Sequence, residues 1–406
     1  MEIIVQKYGG SSVADVPRLE QVADRVVRTA QQGKRVCVVV SAMGRTTDDL
    51  ITLARQITDS PPRRELDMLL STGERISMAL LAMAIQKRGR EAISFTGSQS
   101  GIITNDRHSG ARIIEVRPVR IQDELERDKI VIVAGFQGMS YKREITTLGR
   151  GGSDTTAVAL AAALNASFCE ICSDVDGVYT ADPHVVEAAR RLDQISYNEM
   201  QELAEHGAKV LNAQAVEWAR KAGIQIHARA THADGGGTQV GVEASGQNAC
   251  GVAMAANLVR LRLSESASFL GRPLAEAGVS LWRLIDDQAG SVAVFSRDDL
   301  PDWPTLRHSL LAEFGPRLQT EEDLAAVSVV GTSLGSPSEI ARALTVAKHN
   351  GVEVLGVDAS PLRMTLFTRQ AELARLAQLF HETFIEHQGT ESSPTVDLAK
   401  PRKKRG

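Results

Sequence analysis

Arg35-Val36-Cys37-Val38-Val39-Val40 is the segment from which the architecture of this chain can be inferred. Its last five residues are all apolar, so neither face of an extended chain would carry polar side chains. Such a run is typical of a strand that is buried on both faces of a parallel sheet. Comparable runs predict five further strands, at Glu2–Lys7, Glu91–Phe95, Ile130–Ala134, Phe168–Cys172 and Ile224–Arg229.

Segments with helical spacing alternate with these strands. In Val16–Gln32 the apolar residues recur on one helical face, and Gly33 follows its end. The other segments that we interpret as helices are Glu65–Arg88, Thr155–Ala166 and Ala208–Ala222. Strands that alternate with helices are joined by crossovers, which make neighbouring strands parallel. The first half of the chain is therefore predicted to be an α/β fold, with a mainly parallel sheet and helices on both faces.

The character of the sequence changes after Thr231–Gln247, a segment rich in glycine and small polar residues. Beyond it, two rounds of strand and helix patterns resemble βαββαβ units, which makes a weak internal repeat. The first round comprises Leu258–Leu263, the helix Phe269–Ala277, Val279–Ile285 and Ser291–Phe295. The second comprises Ala325–Val330, the helix Glu339–Asn350, Val352–Val357, Arg363–Phe367 and the helix Ala371–Phe384.

The composition excludes several classes of protein. With 406 residues, of which 43% are hydrophobic and 24% charged, the chain has the balance of a soluble globular protein of two or three domains. A net charge of −4 gives no basic field for nucleic acid or membrane, and four cysteines are too few for a disulfide framework. MEIIVQKYGG (Met1–Gly10) is unlike a targeting signal, so we expect a cytoplasmic protein. We expect the basic end, Lys400–Gly406, to be a solvated terminus.

Three polar or glycine-rich loops follow predicted strands, at the edge of the sheet where open α/β proteins bind ligands. They are Lys7–Ser12, Val40–Gly44 and Thr147–Thr156. In the third, TLGRGGSDTT, glycines, Arg150 and a carboxylate precede a helix, and this combination predicts an anion site at the helix N-terminus. The alternative for each loop is an ordinary turn or helix cap.

Two later segments could also contact a ligand. Ser173–Pro183 leaves a buried strand and carries several acids, which could contact a nucleotide or form a turn. Gly207–Leu211 is predicted to open a helix with Lys209 in its first turn, where a lysine is unfavourable unless an anion is nearby. The sequence contains neither a Walker-type phosphate loop nor the protein-kinase motifs.

Taken together, these motifs resemble the aspartate kinase family, in particular its short, stand-alone bacterial members. The matching motifs are KYGGSSV (Lys7–Val13), VVVSAMG (Val38–Gly44), LLSTGERIS (Leu69–Ser77), TLGRGGSDTTA (Thr147–Ala157), SDVDGVYTADP (Ser173–Pro183) and GAKVL (Gly207–Leu211). The resemblance implies an amino-acid-kinase-type three-layer αβα sandwich, followed by two ferredoxin-like, ACT-like units. We expect a catalytic domain at 1–232, a linker at 233–249, paired ACT-like units at 250–388 and a disordered tail at 389–406. The first unit would span about 258–321, and the second 250–257 plus 322–388.

The resemblance also implies an activity. It is the ATP-dependent phosphorylation of the side-chain carboxylate of L-aspartate, which gives 4-phospho-L-aspartate and ADP. This reaction opens the synthesis of lysine, diaminopimelate, threonine and methionine. ATP would be the co-substrate, and Mg²⁺ would be held mainly by the nucleotide phosphates, with no protein ligand. An amino-acid effector could bind the ACT-like units, through which the chain would form a homodimer.

Residue roles follow from the same resemblance. The catalytic residues would be Lys7, Asp154 and Lys209: the lysines neutralise the phosphates, and Asp154 orients them. Substrate would be bound by Ser41, Glu74, Arg150 and Ser153, with Glu74 on the α-ammonium and Arg150 on the α-carboxylate. The nucleotide would contact Lys7, Gly9, Gly10, Ser173, Asp174, Tyr179, Asp182 and Lys209. The alternative for Glu74 is an exposed ion pair with Arg75 or Arg88.

Three positions depart from the family pattern. His184 stands where the family usually has arginine, and Leu211-Asn212-Ala213 replaces the usual Leu-His-Pro. Trp282 replaces an aspartate in the first ACT-like unit, where an indole would fill a small amino-acid pocket and favour a role in dimerisation. Two alternative functions remain open at this stage. One is a different amino-acid or carbamate kinase of the same fold, and the other is a non-catalytic, effector-binding regulatory subunit.

Overall fold

The computed structural model describes residues 1–149, 151–232, 235–266, 268–277, 279, 281–300 and 303–387. The first half contains twelve described strands: β1 Ile3–Tyr8, β2 Arg35–Val40, β3 Ala92–Phe95, β4 Ile102–Thr104, β5 Ile113–Val116, β6 Ile130–Ala134, β7 Gln137–Ser140, β8 Ile145–Thr147, β9 Phe168–Ser173, β10 Gln194–Ser196, β11 Ile226–Ala230 and β12 Thr238–Gly241. Its described helices are α1 Val16–Gln31, α2 Thr46–Ile57, α3 Arg63–Leu70, α4 Thr72–Gln86, α5 Val119–Glu126, α6 Gly152–Ala163, α7 Tyr197–Glu205 and α8 Ala213–Ala222.

The main sheet has eight strands in the order β10-β12-β11-β9-β1-β2-β6-β3. The six strands from β11 to β3 are parallel, whereas β12 runs antiparallel to β11. Val38 and Val40 of β2 face the cluster that α1 and α4 cover, whereas Cys37 and Val39 face the cluster that contains α6 and α8. Both faces are therefore buried, and the predicted mainly parallel α/β sandwich is confirmed. A second sheet, in the order β5-β4-β7-β8, lies beside the main one.

The second half is built on one six-stranded antiparallel sheet in the order β14-β15-β13-β16-β18-β17. Its strands are β13 Ala249–Leu263, β14 Leu281–Asp287, β15 Gly290–Ser296, β16 Leu318–Gly331, β17 Gly356–Ser360 and β18 Arg363–Thr368. Its described helices are α9 Ser268–Ala277, α10 Trp303–Phe314, α11 Pro337–His349 and α12 Leu373–His381.

Two ferredoxin-like units share the long strands β13 and β16. β15 pairs with the second part of β13, at Leu258–Leu263, whereas β18 pairs with the second part of β16, at Ala325–Val330. Each unit therefore takes half of each long strand, and the sheet continues from one unit into the other. The ACT-like architecture predicted for this half agrees with that arrangement.

The two halves are held together by contacts that reach across from the loop at Thr180 and from α7. The carbonyl of Thr180 accepts a hydrogen bond from Val252 N at 2.7 Å, and the hydroxyl of Thr180 lies 2.9 Å from His381 Nε2. Arg363 Nε donates to Glu202 Oε2 at 3.0 Å. The ring of Trp282 lies edge-on to that of His206, with 5.0 Å between centroids. Trp282 therefore lies at the contact between the halves, and its predicted effect on an effector pocket stays a prediction.

Several sequence-based element boundaries are wrong. The single helix predicted at Glu65–Arg88 is two helices that meet at Ser71, where the hydroxyls of Ser71 and Thr72 donate to the carbonyls of Met68 and Leu69. The predicted linker 233–249 contains β12, which pairs with β10 and β11 in the main sheet. In the predicted strand Val352–Val357, Val352 packs into the core and regular pairing begins only at β17. Gln388–Gly406, which includes the tail predicted at 389–406, lies outside the described residues.

One described segment, Arg63–Gln86, is long and apolar enough to cross a membrane by composition alone. It comprises α3 and α4, and half of its apolar window is buried inside the protein. Leu81 and Ile85 of α4 are fully buried in the cluster between α1 and the main sheet. The segment therefore has the surroundings of a core helix.

Candidate active site

The loops that follow β1 and β2 meet each other and the end of β9 at the carboxyl edge of the main sheet. Gly9 N donates to the carbonyl of Cys172 at the end of β9, at 3.2 Å, and Ser41 N donates to the carbonyl of Tyr8 at 3.1 Å. Gly44 N donates to the carbonyl of Gly10 at 3.1 Å. The parallel sheet therefore brings the first two predicted loops into direct contact.

Gly10 permits the closest approach between these loops. A Cβ at Gly10 would lie 3.0 Å from the Ala42 carbonyl oxygen and 3.3 Å from that of Gly44. A Cβ at Gly9 would lie 3.4 Å from Lys7 Nζ. The absence of side chains at the two glycines thus leaves room for an anion next to the Lys7 ammonium group.

The central feature of the site is an ion pair between Lys7 and Asp154. Lys7 Nζ lies 2.6 Å from Asp154 Oδ1, and the two side chains are only 11% and 10% exposed. Asp154 is in the first turn of α6, where the helix dipole favours a negative charge. An ammonium group has three N–H donors, so the lysine can keep this bond and still donate to a bound anion.

The turn before α6 is glycine-rich, and its backbone conformations require glycine. Gly149 and Gly151 have φ values of +80° and +68°, which favour glycine. Ser153 is buried in the first turn of α6, and a Cβ at Gly135 would lie 2.7 Å from Ser153 Oγ. The turn thus joins the end of β6 to the helix that carries Asp154. Arg150, predicted as the ligand of the α-carboxylate, lies outside the described residues.

Glu74 is a buried carboxylate beside the loop after β2. It is 3% exposed, and its Oε1 accepts a hydrogen bond from Ala42 N at 3.1 Å. Its Oε2 is buried and has no hydrogen-bond partner among the described residues. Burial raises the pKa of Glu74 to about 7. The alternative of an exposed ion pair is therefore wrong for this residue: Glu74 points inward, and Arg88 pairs with Glu20 and Asp24.

Ser173 and Asp174 line a cavity of about 320 Å³ that borders the end of the Lys7–Ser12 loop. The remaining lining residues are Ser11, Ser12, Arg18, Gln21 and His232. The hydroxyls of Ser12 and Thr231 lie 2.6 Å apart, and Thr231 N donates to the Ser173 carbonyl at 2.8 Å. The wall of the cavity is thus formed where β1, β9 and β11 end.

Tyr179 and Asp182 are not among the residues that line this cavity. The Tyr179 hydroxyl donates to Asp176 at 2.8 Å, and this hydrogen bond raises the pKa of Tyr179. Asp182 is exposed and accepts a hydrogen bond from His184 N at 2.9 Å. Both residues lie in the segment after β9 that packs against the second half of the protein through Val186.

Lys209 lies in a loop, not in the first turn of a helix as predicted. Helix α8 begins at Ala213, because Asn212 caps it by accepting hydrogen bonds from the amides of Gln214 and Ala215. Lys209 is exposed, three residues before this cap. Asn212 also contacts the start of α6: its Oδ1 accepts a hydrogen bond from Thr155 Oγ1 at 3.4 Å. The Lys209 loop therefore ends against the helix that carries Asp154.

Sequence reasoning missed two residues that hold these loops in place. Asn212 appeared only as a departure from the family pattern, although a capping residue before a helix is a recognisable signal. Asp67, which is fully buried, lies in a helix with no local feature that separates it from an exposed acid.

Comparison with known proteins shows the family. The model of the amino acid kinase family matches residues 2–229. The aspartokinase of Mycolicibacterium smegmatis is 42% identical over 405 residues, which cover 95% of this chain and 96% of that protein. The aspartokinase of Geobacillus stearothermophilus is 42% identical over 398 residues, with 95% and 97% covered.

Solved structures give the same result. The chain is similar to E. coli aspartokinase III in complex with aspartate and ADP, in the R-state, with a TM-score of 0.83 and 27% identity over 94% of this chain and 99% of that one. It is also similar to the same enzyme in complex with lysine and aspartate, in the T-state, with a TM-score of 0.72 and 27% identity over 95% of this chain and all of that one.

The contact between Gly151 and Asn212 provides a test of how the Lys209 loop is anchored. A Cβ at Gly151 would lie 2.4 Å from Asn212 Nδ2 and 2.6 Å from Asn212 Cβ. We expect Gly151→Ala to reduce the free energy of unfolding by about 1–3 kcal/mol beyond the backbone cost of its positive φ. The matched control is Gly33→Ala, with φ +80° and no atom within 4 Å of its added Cβ. Equal losses in chemical denaturation of the two variants would contradict the contact.

Proposed function

This chain belongs to the aspartokinases of the amino acid kinase family, and from that premise we propose how its own residues transfer the γ-phosphoryl group of ATP to the side-chain carboxylate of L-aspartate. The observation that supports the assignment of roles is the meeting of two features around the same pair of loops. The Lys7–Asp154 ion pair lies beside the Gly9–Gly10 loop, and the buried carboxylate of Glu74 contacts Ala42 in the loop that Gly10 touches.

The phosphate side of the site neutralises charge. Lys7 and the amides of the Gly9–Gly10 loop bind the phosphates, while Asp154 fixes the position of the Lys7 ammonium group. Lys209 adds a second positive charge from its loop beside α6. The acceptor is already a carboxylate, so its attack needs no general base. The rate therefore depends on bringing two anions together, which cationic side chains and amide dipoles promote.

The amino-acid side of the site recognises the head of aspartate. Glu74 binds the α-ammonium group, because its buried Oε2 has no hydrogen-bond partner among the described residues and desolvation makes its charge costly without one. Arg150 binds the α-carboxylate, as the family motif predicts. Ser41 and Ser153, at the ends of the loops that border the site, support the side chain of the substrate.

On the nucleotide side, Ser173 and Asp174 contact the ribose and adenine from the 320 Å³ cavity that they line. Tyr179 and Asp182 remain predictions. Mg²⁺ would be held mainly by the phosphates of ATP, as the resemblance to the family implies. When bound, the ion supplies charge neutralisation between the phosphates.

The second half carries dimerisation and regulation. Its edge strand β14 exposes Leu281 and Leu284, which supports a dimer formed through the ACT-like units. The solved T-state relative binds lysine, and an amino-acid effector at these units would act on the catalytic half through the contacts of Glu202 and His206. We place the enzyme in the cytoplasm, at the start of lysine, diaminopimelate, threonine and methionine synthesis.

A direct assay tests the function. The purified full chain, supplied with MgATP and L-aspartate as the sole acceptor, should release ADP and form an acyl phosphate that hydroxylamine traps. A panel of other acceptors, including glutamate and carbamate, should give much slower turnover. No ADP release above background with aspartate would overturn the assignment and favour a non-catalytic regulatory subunit.

Replacement of Lys7 tests the phosphate side. Lys7→Ala removes the positive charge that stabilises the reacting phosphoryl group, so we expect kcat to fall by at least about 100-fold, with a smaller change in the aspartate KM. Lys34→Ala is the matched control, since Lys34 precedes β2 at the opposite edge of the sheet and pairs with Glu2. A change confined to the aspartate KM in Lys7→Ala would show that the lysine binds the amino acid instead.

The raised pKa of Glu74 predicts how activity depends on pH. With a pKa of about 7 in the free enzyme, Glu74 is mostly neutral at pH 6 and mostly charged at pH 8. The charged form attracts the α-ammonium group, so kcat/KM for aspartate should rise with pH by up to about tenfold per unit below pH 7. Glu74→Gln should abolish this rise and increase the aspartate KM. An unchanged pH profile in Glu74→Gln would contradict the role.

The same group affects the stability of the free enzyme. Because the pKa of Glu74 in the folded enzyme, about 7, lies above the ordinary glutamate value of 4.5, the folded state holds the proton more tightly than the unfolded state. Its contribution to stability is therefore present below pH 4.5 and is lost as the pH rises through 7. We expect urea denaturation to show a decrease in the free energy of unfolding of the wild type between pH 5 and pH 8. Glu74→Gln should lack this contribution to the decrease.

A further inference from the structure

Asp67, on α3, is a fully buried carboxylate that takes no part in the chemistry described above. Its Oδ1 accepts hydrogen bonds from Thr147 Oγ1 at 2.6 Å and from Ser109 N at 3.0 Å, and a longer one from Ser109 Oγ at 3.3 Å. Its Oδ2 lies 2.8 Å from His108 Nδ1 and 3.1 Å from Ser109 N. Both oxygens are therefore occupied by protein groups, and no face of the carboxylate is left for a ligand.

The first segment that Asp67 holds is the end of β8. The side chain of Thr147 donates to Asp67, while its carbonyl accepts hydrogen bonds from Gly110 N at 3.1 Å and Ala111 N at 2.8 Å. The next residue, Leu148, is buried and donates from its amide to the Phe136 carbonyl at 2.9 Å. Thr147 is thus fixed on both sides, three residues before Arg150.

The second segment is the loop that carries His108 and Ser109. Ser109 adopts a φ of +58°, which is uncommon for a residue other than glycine and needs compensating contacts. Asp67 supplies them through the amide and the hydroxyl of Ser109. This loop provides the two amides that bond the Thr147 carbonyl, so Asp67 supports Thr147 directly and through the loop.

The third segment is the helix pair that carries Glu74. α3 continues through Ser71 into α4, and Glu74 lies two helical turns after Asp67. The Ser71 carbonyl is held by Gln137 Nε2 at 2.9 Å. A single carboxylate thus joins the helix pair of Glu74 to the strand end that leads into Arg150.

We propose that Asp67 is a positioning residue for the amino-acid substrate: by joining α3, the His108–Ser109 loop and Thr147, it holds the helix pair that carries Glu74 in place against the end of β8. This inference rests on the proposed role of Glu74 in binding the α-ammonium group of aspartate. The phosphate side of the site does not depend on Asp67 in this way, since it rests on the contacts of β1 and of the start of α6. Loss of Asp67 should therefore affect aspartate much more than ATP.

The test is Asp67→Asn in the full-length enzyme, with steady-state kinetics for both substrates. Asparagine keeps the shape of aspartate but replaces one acceptor oxygen with a donor, so the bonds from His108, Ser109 and Thr147 cannot all persist. We expect the aspartate KM to rise about tenfold, the change that loss of one hydrogen bond to a charged group produces, with kcat and the ATP KM within about twofold of wild type. Glu65→Gln is the matched control, since Glu65 lies on the same helix, is exposed and pairs with Arg64.

A double-mutant cycle with Thr147→Val separates positioning from a general loss of stability. Thr147→Val removes a partner of Asp67, so it should raise the aspartate KM in the same direction, and the double variant should be less impaired than the product of the two single effects. Additive effects, or equal rises in the KM of aspartate and ATP, would overturn the inference while leaving the proposed function intact. A wild-type enzyme without aspartate turnover would instead overturn both.

Discussion

The ion pair between Lys7 and Asp154 connects the end of β1 to the first turn of α6. The rest of the candidate site is arranged around these two elements. Either charge without its partner would be costly here, because both side chains are about nine-tenths buried. Two parts of the fold stabilise the intact ion pair. The parallel sheet places Lys7 at the carboxyl edge, and the amino end of α6 favours the carboxylate of Asp154. The glycines beside Lys7 then leave room for an anion.

The second half of the protein contacts the loops that surround this pair. A Cβ at Gly207 would lie 2.1 Å from the carbonyl oxygen of Met254 in β13, so the start of the Lys209 loop rests directly on the shared strand. His206, just before it, packs against Trp282, and its burial, together with Arg363, lowers its pKa to about 4. A neutral, buried histidine favours close packing at this contact. The loop that carries Lys209 is therefore in direct contact with β13, so the two halves of the protein meet beside the candidate site.

The fold and the site differ in how much of each the sequence could predict. Strands such as Arg35–Val40 were predictable because burial on both faces demands a continuous apolar run. The glycine-rich loops were predictable because close approach of backbone to an anion demands glycine. The start of α8 was predicted too early, because the residues at 208–211 fit a helix, whereas Asn212 caps the helix and makes Ala213 its first residue. Likewise, β12 has too few residues for a periodic pattern and is defined by its pairing with β11.

The buried acids Glu74 and Asp67 show why burial alone does not identify a functional group. Both lie on the same helix pair, both are shielded from water, and the sequence around them differs little in polarity. Their hydrogen bonds separate them. Asp67 has donors on both oxygens, so its charge is satisfied within the fold and serves to join three segments. Glu74 has one oxygen without a partner among the described residues, and a bound cation would offset the cost of burying its charge. The complete network is therefore a property of the scaffold, whereas the unpaired oxygen is the observation on which the proposed role of Glu74 in substrate binding rests.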